Sequence, residues 1–79
     1  MTDHEEAKSF IELARQAIEK NDLAGAEKIL RHAIELDPEN TEANYLLGKL
    51  YEMDGDQVNA AKQYERATLK RPLESDTVN

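Results

Sequence analysis

Apolar residues recur along most of the chain at intervals of three and four positions. This spacing places them on one face of an α-helix, with polar residues on the opposite face. Four such runs follow one another: Phe10, Leu13, Ala14, Ala17 and Ile18; Leu23, Ala26, Ile29, Leu30, Ala33, Ile34 and Leu36; Ala43, Leu46, Leu47, Leu50 and Tyr51; Val58, Ala61, Tyr64, Ala67 and Leu69. The pattern predicts four amphipathic helices of about 14 residues each, and therefore an all-α chain.

Residues that start or stop helices separate these runs. Thr2 followed by Glu5 has the spacing of a capping box, which predicts a first helix that begins near Asp3. N-caps for the other three helices are predicted at Asp22, Asn40 and Asp56. Stops are predicted at Asn21, at Gly55 and before Pro38 and Pro72. Residues 75–79 are polar and show no periodicity, so we expect a disordered tail there.

The two prolines lie 34 residues apart, and other positions match at the same offset. Matching pairs are Leu13 and Leu47, Ala14 and Gly48, Asp22 and Asp56, Ala26 and Ala60, Lys28 and Lys62, and Ala33 and Ala67. The chain therefore reads as two copies of one unit.

This unit resembles the tetratricopeptide repeat, in which an aromatic residue is followed by Leu-Gly, Tyr, Ala, Phe and Pro at set spacings. The first copy reads Phe10, Leu13, Ala14, Ala17, Ala26, Leu30, Ala33 and Pro38, and the second reads Asn44, Leu47, Gly48, Tyr51, Ala60, Tyr64, Ala67 and Pro72. Ala17 departs from the expected Tyr, and Asn44 departs from the expected aromatic residue. The resemblance implies two antiparallel helix-turn-helix hairpins stacked as a short right-handed superhelix. Residues 1–6 would lead into the first helix, 7–40 and 41–74 would form the repeats, and 75–79 the tail.

The outer faces of the two predicted hairpins are more polar than the faces between them. Ile29, Ile34 and Leu36 have the counterparts Gln63, Thr68 and Lys70, while Ala43, Leu46, Leu50 and Met53 have the counterparts Ser9, Glu12, Gln16 and Glu19. Polar outer faces are what terminal repeats need for solubility. We therefore expect a complete two-repeat unit that folds as a monomer.

Composition narrows the classes of partner. The 79 residues include 10 Lys and Arg against 17 Asp and Glu, a net charge of −7, so nucleic acid and anionic membrane surfaces are disfavoured. Cysteine is absent, which excludes disulfides and thiolate chemistry. Neither a signal peptide nor an apolar stretch of about 20 residues is present, so we expect no membrane insertion and a cytoplasmic location.

No group of residues in the sequence indicates catalysis or metal binding. His4 and His32 stand alone and are expected to be solvated, and Asp54-Gly55-Asp56 lacks the further oxygen ligands of a calcium loop. The serines and threonines have no neighbouring His and acid to activate them. We therefore expect a protein that is not an enzyme and has no cofactor.

The resemblance implies a binding surface instead, because the first helix of each repeat lines the concave face of this family. At the corresponding positions the chain has Lys8, Ile11, Arg15 and Ile18 from the first repeat, and Glu42, Tyr45, Lys49 and Glu52 from the second. Two apolar groups beside two cations could hold an extended acidic segment. Alternatively, Ile11 and Ile18 extend the core, and the cations only neutralise Glu12 and Glu19.

Two functions remain open on this evidence. The first is a scaffold for protein–protein interaction that binds a peptide or an extended segment on its concave face. The alternative is a structural unit that self-associates weakly. Residues 1–56 hold 6 basic and 14 acidic groups, or −8, whereas 57–71 hold 4 basic and 1 acidic, or +3, which would favour head-to-tail contacts.

Overall fold

The computed structural model describes residues 3–69, which form helices joined by short turns. Helix α1 spans Asp3–Glu19, α2 spans Leu23–Leu36, α3 spans Thr41–Met53 and α4 spans Gln57–Leu69. The predicted all-α fold class is confirmed. The capping residue Thr2, the stop at Pro72 and the tail at 75–79 lie outside the described residues.

Polar side chains in the turns cap the helices that follow them. In each case a side-chain oxygen accepts a hydrogen bond from the backbone N–H three residues later: Asp22 from Gly25 at 3.1 Å, Asn40 from Ala43 at 2.9 Å and Asp56 from Asn59 at 3.2 Å. The side-chain amide of Asn59 also donates to Asp56, and these two bonds hold the pKa of the Asp56 carboxyl below its usual value. The three N-caps predicted from the sequence are confirmed.

The helices end where the backbone leaves the right-handed helical region. Asn21 and Gly55 follow α1 and α3 with φ angles of 64° and 84°, in the left-handed region that often ends a helix. Asp37 ends α2 with φ −143° and ψ 80°, because the ring of Pro38 disfavours helical geometry in the preceding residue. These turns are short, so successive helices run antiparallel.

Consecutive helices pack against each other. Helix α1 packs on α2 to form the first hairpin, α3 packs on α4 to form the second, and α2 lies against α3 where the hairpins meet. A single cluster of buried side chains joins both hairpins: Ala7, Ile11, Ala14, Ala26, Leu30, Ala33, Ala43, Leu47 and Leu50. Small residues dominate this cluster, so the helix axes can approach closely.

The seam between the hairpins also includes a hydrogen bond between their helices. The guanidinium of Arg31 on α2 donates to the hydroxyl of Tyr51 on α3 at 2.6 Å and to the carboxylate of Glu27 on its own helix at 2.8 Å. The hydrogen bond that Arg31 donates to Glu27 is the main cause that raises the pKa of Arg31. Tyr51 therefore joins the hairpins through its polar end as well as through its packed ring.

Asn44 has a structural role at the position where the repeat pattern expects an aromatic residue. Its side chain is buried, and its amide donates to the backbone carbonyls of Asn40 at 2.8 Å and Pro38 at 3.2 Å. Its counterpart Phe10 instead meets the ring of His32 edge-on, with centroids 4.7 Å apart. The departure from the pattern thus replaces a ring contact by hydrogen bonds that fasten α3 to the turn between the repeats.

Gly48 lies where the second hairpin is tightest. A Cβ added at Gly48 would stand 2.8 and 2.9 Å from ring carbons of Tyr64 and 3.3 Å from the carbonyl oxygen of Ala60. Real Cβ atoms essentially never approach another heavy atom within 3.0 Å. The predicted role of small residues in the close approach of paired helices is confirmed at this position.

Three large apolar residues assigned to packed faces are exposed in the structure, as is the smaller Ala61. Leu13 is 49% exposed, Met53 is 57% exposed, and Val58 is also exposed. Leu47, the counterpart of Leu13, is buried because α2 covers that side of α3, and no helix within residues 3–69 covers the same side of α1. The prediction that these three side chains pack inside is therefore wrong.

Candidate functional site

The first helices of the two repeats, α1 and α3, bear the eight residues implied by the resemblance. We call these residues the inner face: Lys8, Ile11, Arg15 and Ile18 on α1, and Glu42, Tyr45, Lys49 and Glu52 on α3. All five charged members lie on the surface, as does Tyr45, whereas Ile18 is half-buried and Ile11 is buried. The inner face is therefore mainly polar, with one accessible aromatic ring.

An ion pair connects the two helices across the inner face. The guanidinium of Arg15 on α1 contacts the carboxylate of Glu42 on α3, and both side chains are about half exposed. Arg15 therefore pairs with a carboxylate of the other repeat, rather than with Glu12 or Glu19 of its own helix. The contact also ties the first hairpin to the second.

Lys49 has a different environment from its counterpart Arg15. Its Nζ lies 5.7 Å from the centroid of the Tyr45 ring, one turn earlier on the same helix. A cation over the face of an aromatic ring is attracted by the electron density of that face. Among residues 3–69, Lys49 forms no ion pair. Its charge is therefore available to a ligand.

Tyr45 also contacts a second aromatic ring, from α4. The rings of Tyr45 and Tyr64 have centroids 5.7 Å apart and are tilted by 44°. The hydroxyl of Tyr64 in turn donates to the Glu52 carboxylate at 2.7 Å. Tyr64 on α4 thus contacts both Tyr45 and Glu52, two members of the second-repeat half of the inner face.

The surroundings of Tyr64 raise the pKa of its phenol to about 12. Loss of solvent on burial is the largest cause, followed by the hydrogen bond to Glu52 and the negative charge of that carboxylate. All three causes disfavour the phenolate. The neutral phenol is therefore the form that the fold stabilises.

We expect one phenol of the folded chain to ionise near pH 12 in a titration followed by phenolate absorbance. An unfolded tyrosine titrates near pH 10. The contribution of the neutral Tyr64 phenol to the free energy of unfolding is therefore fully present below about pH 10 and is lost as the pH rises toward 12. Glu52→Gln should move this ionisation to lower pH, because it removes the carboxylate charge. Tyr64→Phe should abolish it, and a folded chain with no ionisation near pH 12 would contradict the assignment.

The apolar members of the inner face differ in how far they are exposed. Ile11 is 3% exposed and belongs to the core, so it offers no surface to a ligand in the free chain, whereas Tyr45 is 47% exposed. Ile18 is half-buried and packs against the core. Of the two possibilities that the sequence left open for Ile11, the one that places it in the core is correct. Of the two apolar groups expected to be exposed, Ile11 and Tyr45, only Tyr45 is exposed.

Met53 extends this surface and was missed by sequence reasoning. It follows Lys49 by one turn, as Lys49 follows Tyr45, so the three side chains form one ridge along α3. The four-residue spacing from Tyr45 to Lys49 to Met53 could have indicated this position. Comparison of the two repeats instead assigned Met53 to the face between the hairpins. The ridge offers an aromatic ring, a cation and a flexible thioether in succession.

The two histidines have partners outside the inner face. Nδ1 of His4 lies 2.9 Å from a carboxylate oxygen of Asp37, which links the start of α1 to the turn after α2. His32 contacts Phe10, and its Nδ1 lies 3.6 Å from the Glu35 carboxylate. Both histidine side chains are more than half exposed, which agrees with the prediction that they are solvated, and each also has one neighbouring carboxylate. Within residues 3–69, no three His, Cys, Asp or Glu side chains are grouped as metal ligands would be.

Comparison with known proteins supports the repeat assignment. A family model described as Tetratricopeptide repeat matches residues 11–74, which include both copies of the 34-residue unit almost entirely. No curated protein matches the chain significantly. None of the described helices has the length and apolar content that a bilayer crossing requires.

Proposed function

Because the chain belongs to the tetratricopeptide repeat family, we propose that it is a non-enzymatic scaffold that binds an extended segment of a partner protein along its inner face. Members of this family generally act in protein–protein interaction. The observation that carries the finer proposal is the exposed ridge of Tyr45, Lys49 and Met53 beside Arg15 of the other repeat.

The charges of the inner face favour an acidic partner segment. Lys8 and Lys49 are exposed, and neither forms an ion pair among residues 3–69. The inner face holds three cations and two carboxylates, a net charge of +1, in a chain whose net charge is −7. Complementary charge mainly increases the rate of encounter and excludes wrong partners.

Apolar contact would supply the remaining affinity. Tyr45 is a rigid ring supported by Tyr64, and few side chains are better suited to anchor a ligand. Met53 presents an adaptable apolar surface one turn beyond Lys49. The segment that fits this ridge has a carboxylate flanked by apolar side chains.

A selection from a random library of ten-residue peptides, with the full chain as the target, would test the proposal. One enriched peptide is then labelled and used as the probe in binding measurements. Asp or Glu next to apolar residues should be enriched. Arg15→Gln with Lys49→Gln should weaken binding of the probe by about tenfold or more, because both cations are lost. Tyr45→Ala should weaken binding at low and at high salt alike, since it removes an apolar anchor.

Lys62→Gln with Arg66→Gln is the matched control, because it removes the same charge from exposed positions on α4. The control should bind the probe like the unmodified chain, and all variants should keep their helical circular dichroism. If the control loses binding while the Arg15 and Lys49 variant retains it, the site is on the outer surface and the inner-face proposal is wrong.

Self-association remains the second candidate, supported only by the uneven charge along the sequence. Sedimentation equilibrium at low and high salt separates the two functions. A mass near 9.0 kDa at both salt concentrations supports the binding module, and a larger mass that falls with salt supports the assembly. The monomeric state and the cytoplasmic location stay predictions.

A further inference from the structure

Glu42 occupies the place on Arg15 that a partner carboxylate would take. The ion pair lies on the inner face and joins α1 to α3, and both side chains are about half exposed. Arginine favours carboxylates because its planar fork matches their two oxygens. The chain thus supplies its own carboxylate to Arg15, one of the three cations of the inner face.

The equivalent cation of the second repeat is not occupied in this way. Lys49 lies over the Tyr45 ring and forms no ion pair among the described residues. Two cations at matching repeat positions therefore differ in availability, since Lys49 can meet a ligand carboxylate at once, whereas Arg15 must first leave Glu42.

We propose, on the basis of the proposed function, that Glu42 is a specificity-determining residue that competes with the partner's carboxylate for Arg15. An ion pair between exposed side chains is weak, so a ligand carboxylate can displace Glu42 at small cost. A segment without a carboxylate at this place leaves the internal pair intact and gains nothing from Arg15. Glu42 therefore lowers the affinity for acidic segments slightly, because their carboxylate must first displace it from Arg15.

Removal of the Glu42 carboxylate should increase the affinity of the chain for an acidic peptide. Glu42→Gln should bind the labelled acidic peptide about threefold to fivefold more tightly than the unmodified chain, because Arg15 becomes available. In the Arg15→Gln background, Glu42→Gln should give no such gain. The gain should shrink in high salt, as expected for an exchange of exposed ion pairs.

Glu12→Gln is the matched control, because Glu12 is exposed on α1 and its replacement changes the net charge by the same amount. A gain equal to that of Glu42→Gln would overturn the proposal, since it would reflect overall charge. Unchanged or weaker binding by Glu42→Gln, with the unmodified chain still binding through Arg15 and Lys49, would also overturn it and leave the proposed function standing. Probe binding that is insensitive to Arg15, Lys49 and Glu42 together would overturn the proposed function itself.

Discussion

Replacement of Leu47 by alanine should lower the free energy of unfolding by about 2–5 kcal/mol. Leu47 is 3% exposed and belongs to the cluster that joins both hairpins, so its loss leaves a cavity between α2 and α3. Small domains have total stabilities toward the low end of about 5–15 kcal/mol, and a cost of this size would unfold much of the population on mild heating. Thermal and urea denaturation followed by circular dichroism measure the change.

The chain contains a matched control for this substitution. Leu13 has the same position in the first repeat but is 49% exposed, so Leu13→Ala should cost only about 1 kcal/mol. The two variants remove the same atoms from the same kind of helix. Equal losses of stability in the two would contradict the placement of the core described above.

Replacement of Gly48 by alanine should also destabilise the chain, although alanine is the better helix former. The added Cβ would stand 2.8 Å from the Tyr64 ring, and overpacking of this kind costs about 1–3 kcal/mol. The helix propensity of alanine offsets about 1 kcal/mol of that cost. We therefore expect a net loss of up to about 2 kcal/mol, measured by urea denaturation.

The first repeat indicates how this loss can be reversed. Its counterparts of Gly48 and Tyr64 are Ala14 and Leu30, and both are buried. Tyr64→Leu recreates the first-repeat pair when combined with Gly48→Ala. In a Tyr64→Leu background, Gly48→Ala should be neutral or stabilising by up to about 1 kcal/mol, because the obstructing ring is gone. The same cost in both backgrounds would show that the ring is not the obstacle.

The local features of the fold could be predicted from the sequence because their causes are local. Asp22, Asn40 and Asp56 cap helices through bonds to residues three positions away, and such bonds need no tertiary context. Pro38 acts on the residue next to it. The short turns then predict that successive helices pair as hairpins, and the repeat offset predicts two such hairpins.

Burial at the outer sides of the helices could not be predicted in the same way. Apolar periodicity identifies the face of a helix that can be buried, but it does not show whether another helix covers that face. Leu13 and Leu47 are the same residue at the same repeat position and differ only in their neighbours. Val58 and Met53 were assigned inward for the same reason, and both are exposed.

The contacts of the inner-face residues could not be predicted from repeat equivalence alone. Repeat equivalence located Arg15 and Lys49, while their different partners depend on which side chains of the other helices come within reach. The pair of Arg15 and Glu42 joins residues on different hairpins, so no local pattern predicts it. Ile11 is buried although its counterpart Tyr45 is accessible, because the two first helices have different neighbours.

The order in which the helices pack has a consequence for the speed of folding. Each main contact, α1 with α2, α2 with α3 and α3 with α4, joins helices that are consecutive along the chain. Contacts that are close in sequence close small loops and cost little chain entropy before they form. Helical domains with such low contact order fold in about microseconds to milliseconds. Either hairpin can serve as the nucleus on which the other condenses, so the chain should reach its native state by two parallel routes.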